Sequence, residues 1–138
     1  MIISGFSGIG KTYTEEYLDG RKIKVLDLDS SYFEGVNEYV KRIMIEHDKF
    51  DFIFISTHPE VLDALDKRNL EYTLVIPSLK AKDEYNKRWI NRGSTPEFID
   101  FMYQNFDTFI KGLIDRNCKK IVLGEGQYLI DVICSIER

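Results

Sequence analysis

Five short apolar runs, at residues 2–4, 23–28, 52–56, 72–76 and 120–123, punctuate the chain, and segments long enough for helices separate them. Most of these runs are continuously apolar rather than alternating, the pattern of strands covered on both faces. Parallel strands need a long crossover connection, which a helix supplies. The alternation therefore predicts an α/β three-layer sandwich, with helices on either side of a parallel sheet. A length of 138 residues suits a single domain over 1–138, and a hydrophobic fraction of 43% is enough for its core. No internal repeat, low-complexity tract or linker interrupts it.

Local signals place several helix ends. A helical pattern over 13–18 follows the first strand. Pro59 suits a first helical turn, and Val61, Leu62 and Leu65 recur at helical spacing behind it. Gly93 ends a segment over 83–92; Ser94 or Thr95 then caps a further helix with Pro96 in its first turn. Along that helix Phe98, Met102, Phe106, Phe109, Ile110 and Leu113 form a stripe at three- and four-residue steps. A stripe of this kind reads as core.

The most specific motif is Gly5-Phe6-Ser7-Gly8-Ile9-Gly10-Lys11-Thr12, which matches the Walker A pattern G-x-x-x-x-G-K-[ST] between a strand and a helix. Gly5, Gly8 and Gly10 are expected at positive φ, letting the backbone wrap an anion. Amides at the positive end of a helix dipole favour phosphate. Lys11 adds a full charge for the β- and γ-phosphates, and the Thr12 hydroxyl suits Mg²⁺. The expected binding set for ATP, or another purine nucleoside triphosphate, is Gly5, Ser7, Gly8, Ile9, Gly10, Lys11, Thr12 and Tyr13.

Bulk properties narrow the partners. A net charge of -4 disfavours a nucleic-acid clamp, although residues 80–92 are locally basic. No basic stretch followed by an apolar core and cleavage site is present, and no apolar run approaches the roughly 18 residues that span a bilayer. Cys118 and Cys134 lack metal or redox spacing and read as reduced, mostly buried thiols. The expectation is a cytoplasmic protein that does not engage membranes.

On its loop and element order the chain resembles the nucleoside and nucleotide kinase branch of P-loop NTPases, which includes nucleoside monophosphate kinases and the kinase domain of polynucleotide kinases. The resemblance implies a five-stranded parallel sheet in the order 2-3-1-4-5 and a short lid, here around 80–95. It places Asp27 and Asp29, at the end of the second strand, on the acceptor side or at Mg²⁺. Asp27 is expected to join Thr12 at the metal, partly through water, and Asp29 to orient or deprotonate the acceptor hydroxyl. The alternative is a local cap and a solvated carboxylate. Arg88 and Arg92, four apart on one helix face, match the lid arginines that stabilise a transferring phosphoryl group. Alternatively they form a solvated face with a Glu84–Arg88 pair. With Lys11 and Asp29, these arginines make up the expected catalytic set. The loop 124–128, after the last strand, would border the adenine.

One departure stands out. Ser56, Thr57 and His58 follow the third strand, where many P-loop proteins place a Walker B aspartate. His58 serves either the site or the local turn. No large nucleotide-binding insert is present, so the acceptor pocket would use Asp29, the region 32–39 and His58, with Tyr32, Phe33 and Tyr39 as stacking or packing residues. The leading expectation is an ATP- and Mg²⁺-dependent phosphotransferase acting on a nucleoside, nucleotide or similar small acceptor. A nucleotide-binding switch or NTPase without efficient transfer is the alternative, and a polynucleotide end kinase the third.

Overall fold

A computed structural model describes residues 1–28 and 35–136. Asp29, Tyr32 and Phe33 therefore lie outside the described residues. The elements follow in the order β1 (Ile2–Gly5), α1 (Lys11–Asp19), β2 (Val25–Asp27), α2 (Val36–Glu46), β3 (Phe52–Ile55), α3 (Pro59–Lys67) and β4 (Tyr72–Pro77). A 3-10 turn (Leu79–Ala81) leads into α4 (Lys82–Asn91), α5 (Pro96–Ile114), β5 (Lys119–Leu123) and the short α6 (Leu129–Val132).

The strands form one parallel sheet in the order β2-β3-β1-β4-β5. β1 lies at the centre, with Ile3 opposite Phe54 of β3 and Thr73 of β4. Right-handed crossovers send α1 to one face, where α6 joins it, and α2, α3 and α5 to the other. Every residue of β1, β3 and β4 is buried, which explains why those strands read as unbroken apolar runs. β2 is an edge strand, shorter than the apolar run that predicted it and only half-buried.

Sequence chemistry sets the helix ends. Pro59 opens α3, with His58 as the N-cap residue, and the His58 carbonyl accepts from the Val61 and Leu62 amides. Thr95 caps α5, its hydroxyl accepting from the Phe98 amide at 3.2 Å. Gly93, at φ 83°, ends the helix before it.

The α5 stripe divides. Met102, Phe106, Ile110 and Leu113 are core, as the spacing predicts. Phe98 and Phe109, expected in the core, are only half-buried, and Phe101 beside them is 55% exposed. The physical reason is that α5 meets the sheet and α4 along one flank only; its neighbouring flank faces a cleft.

Candidate functional site

The carboxyl ends of β1, β2 and β3 open on one edge of the sheet, and there the sequence-predicted residues converge. In an open α/β sheet that edge is the ligand-binding edge. The loop 5–12 leaves β1 and turns into α1, whose first intrahelical bond runs from the Thr14 amide to the Gly10 carbonyl at 3.0 Å. Helix geometry leaves amides ahead of that bond without intrahelical acceptors, at the positive end of the helix.

Gly8 and Gly10 take φ of 99° and 91°, the left-handed conformation expected of them. Gly5 does not. It ends β1 with ordinary extended backbone, and the space beside it is tight, since a Cβ there would displace the Ile9 Cδ1 methyl. Ile9 itself is fully buried. Its amide donates to Phe6 O at 3.2 Å and its carbonyl accepts from the Leu129 amide at 2.8 Å, so it anchors the loop to the body of the protein. Tyr13 is 62% exposed on α1 and lines the cleft.

Lys11 Nζ donates to Gly5 O at 2.7 Å, which carries its charge back across the mouth of the loop. Thr12 Oγ1 donates to Asp27 Oδ2 at 3.4 Å, so the two residues expected at a metal are neighbours. A hydroxyl beside a carboxylate is a hard-oxygen pair that fits Mg²⁺. Glu15, which sequence reasoning passed over, stands next to them and accepts from the Asp27 amide at 2.8 Å. Burial raises its carboxyl above the usual range; the amide bond opposes this and the Asp27 charge adds to it. Its position one helical turn after Thr12 was the available signal.

The two arginines separate in role. Arg92 Nη2 donates to Ser7 Oγ at 2.9 Å and its Nε to Ser94 Oγ at 2.8 Å, on the exposed side of the loop. Arg88 is committed elsewhere, and only 9% of its side chain is exposed. Its guanidinium donates to Gly8 O at 3.0 Å, to Gln127 O at 2.8 Å and to Glu84 Oε2 at 2.5 Å, between the rings of Tyr85 and Tyr128. Where the sequence predicts two guanidiniums facing phosphate oxygens, the Arg88 donors here meet two backbone carbonyls and the Glu84 carboxylate at the edge of the cleft. The Glu84–Arg88 pair exists but is not a solvated face.

Arg88 belongs to a brace. Trp89 Nε1 donates to Ser7 O at 3.2 Å, and a Cβ on Gly8 would sit 3.2 Å from both the Trp89 and Tyr85 rings. Glu84 Oε1 accepts from the Gly126 amide at 3.2 Å. The segment expected as a lid around 80–95 is thus α4 and its flanking turns, with Tyr85 and Trp89 fully buried against the loop. The 124–128 loop packs on the other side, where a Cβ on Gly10 would lie 3.1 Å from the Tyr128 ring.

After β3, the Ser56 carbonyl accepts from Ser4 Oγ at 2.8 Å, while Ser56 Oγ is buried with no partner among the described residues. Tyr39 is buried, not a stacking residue: its hydroxyl donates to Leu28 O at 2.8 Å and accepts from the Ser56 amide at 3.2 Å. His58 is exposed, and its side chain makes no cap bond to α3. One cleft of about 1300 Å³ runs from the loop, past Asp27, Ser56, Thr57 and His58, along α5. Among the described residues no group of three or more histidine, cysteine or acidic side chains could hold a metal, and no helix is long and apolar enough to cross a membrane.

No protein-family profile and no curated protein sequence matches this chain. Among solved structures it is similar to an uncharacterized protein from Eubacterium ventriosum, at 15% identity and a TM-score of 0.47, over 98% of this chain and 94% of that one. It is also similar to a de novo designed protein of P-loop NTPase fold, at 14% identity and a TM-score of 0.39, over 84% of this chain and 96% of the design. Neither likeness is close enough to assign an activity. The fold stands on the strand order itself.

Proposed function

We propose that the chain is a small ATP- and Mg²⁺-dependent phosphotransferase. The observation that carries this reading is the convergence of Lys11, Thr12, Asp27 and Arg92 on one cleft around a glycine loop at a helix N-terminus. The loop amides and Lys11 hold the donor phosphates. Thr12 and Asp27 would hold Mg²⁺, which neutralises phosphate charge when bound. Arg92 exchanges its Ser7 contact for the transferring group. The acceptor hydroxyl oxygen bonds to the γ-phosphorus as the bond to the β–γ bridging oxygen breaks. ADP leaves with that electron pair, and the proton passes to a carboxylate, for which Asp29 is the sequence candidate. Positioning and charge stabilisation are most of what this reaction asks of a protein.

Ser56 at the usual acid position favours a second reading, a nucleotide-binding switch or NTPase without efficient transfer. End-phosphorylation of a polynucleotide is disfavoured by the net charge. The test is calorimetric titration with Mg²⁺–ATP, followed by ADP release across a panel of hydroxyl and phosphate acceptors. ATP binding that Lys11→Ala weakens by about a hundredfold, with acceptor-stimulated release, is the expected result. Binding with no acceptor stimulation transfers the case to the switch. No ATP binding ends both.

A further inference from the structure

Beyond the loop, the cleft changes character. The α5 residues that line it are Phe98, Phe101, Met102, Phe109, Gly112 and Leu113, with Thr108 at the rim, and none of these is charged. They fall at three- and four-residue steps, hence on one helix flank. From Phe98 to Gly112 the flank extends about 21 Å at the α-helical rise. The far end is closed by Arg116, which is ion-paired to Asp63 at 2.6 Å and Asp66 at 3.0 Å on α3 and bonds Tyr72 at 3.2 Å.

Gly112 is an independent signal. It sits inside α5, where glycine costs roughly 1 kcal/mol relative to alanine. Close packing does not explain it: a Cβ there would meet nothing within 4 Å. The glycine keeps open a groove that a larger side chain would fill. Phe101 and Phe109, with ring centroids 5.7 Å apart, offer flat apolar surface on the same flank.

We infer that this flank holds the body of the phosphoryl acceptor, and that the acceptor is an alcohol with an extended, uncharged, apolar body of aryl or isoprenoid kind. The inference rests on the phosphotransferase reading and names its substrate class. The groove is continuous with the loop, so a hydroxyl at one end of such a molecule reaches the donor while the body lies along α5. The cations at the mouth, Lys11 and Arg92, are accounted for by the donor's triphosphate. Arg88 and Arg116 are committed to carbonyls and to carboxylates. Among the described residues a second highly charged group therefore has no counterpart along the flank. A nucleobase, whose edge needs several hydrogen-bonding side chains, meets mainly rings and aliphatic groups on the α5 flank; the hydrogen-bonding side chains of the cleft, Ser56, Thr57, His58 and Asn91, lie off that helix.

Two probes separate the sources of this chemistry, 2-naphthaleneethanol for an aryl body and farnesol for an isoprenoid one. Each is titrated into the full chain by calorimetry in the presence of a non-hydrolysable ATP analogue, and ADP release is followed with ATP. At least one should bind and stimulate release. Gly112→Leu, which fills the groove with a good helix former, should weaken that binding about tenfold or more, and Phe101→Ser about fivefold. Phe101 is exposed, so its replacement leaves the fold intact, and melting curves check both variants. ATP affinity should stay within about twofold in each. Binding equal to wild type in both variants, failure of both probes, or release stimulated by nucleosides and nucleotides alone overturns the inference while leaving the kinase reading in place. Absence of ATP binding by the wild-type chain is the separate result that ends the kinase reading. Gly112-dependent binding of a probe would even then mark the flank as a ligand site.

Discussion

At the scale of single residues, Arg88 and Arg92 are four positions apart yet do different work. Arg88 spreads its donors over Gly8 O, Gln127 O and Glu84, so truncation leaves carbonyls short of partners in a poorly solvated place. Arg88→Ala should cost about 2–3 kcal/mol in urea unfolding and weaken ATP binding through a slackened loop. Arg88→Lys should not restore it, because an ammonium cannot reproduce a planar fork. Arg92→Ala should leave stability within about 0.5 kcal/mol while lowering turnover. If instead Arg92→Ala melts early and Arg88→Ala does not, the two roles are reversed. Gly10 makes a sharper demand. At φ 91° and with the Tyr128 ring in the way, Gly10→Ala should destabilise by about 1–2 kcal/mol, read from the same unfolding curves.

At the scale of elements, α4 and α5 support the cleft from different sides. α4 buries Tyr85 and Trp89 against Phe6 and the loop, with ring centroids 6.1 and 6.4 Å from Phe6. Burial pushes the Tyr85 phenol up to about 12, so it stays protonated through the working pH range. α5 packs Phe106 edge-on against Phe6 at 5.7 Å on its inner flank and leaves the adjoining flank open. Gly112→Ala should raise stability by roughly 1 kcal/mol, because helix propensity improves and the new methyl meets nothing. A destabilised Gly112→Ala protein would show that close packing, rather than an open groove, is why the glycine is there.

At the scale of the whole molecule, the parallel sheet gathers three strand ends at one edge, and the electrostatics of that edge should appear in global stability. Glu15 has a folded-state pKa raised chiefly by burial. Its protonated form is therefore the better fit, so its contribution is complete below the ordinary carboxyl range and is lost as pH rises through the raised value. Glu15→Gln should abolish that loss. Denaturation midpoints from about pH 4 to about pH 7 should show wild type falling relative to the variant as pH increases. A parallel pair of profiles would remove Glu15 from the account.

The sequence by itself determined the sheet, the crossover helices, and the placement of the glycine loop between β1 and α1. Apolar runs, helix caps and glycines at positive φ are local signals, and each is set by the backbone and its immediate neighbours. It also brought Thr12 and Asp27 into one neighbourhood, because strand ends in such a sheet share an edge. Tertiary structure alone decided what the two arginines touch, that Tyr39 bonds Leu28 instead of facing a ligand, and that the Ile9 side chain crowds Gly5. It also decided which side of the α5 stripe is core. Helical spacing tells which residues share a flank, but not how wide a gap the neighbouring helix leaves beside it. That gap depends on α3, held to the far end of α5 by Arg116, Asp63 and Asp66, residues 50 and 53 positions apart in the chain. The glycine loop marks where the proposed chemistry would occur; packing between distant helices sets the shape of the cleft beside it.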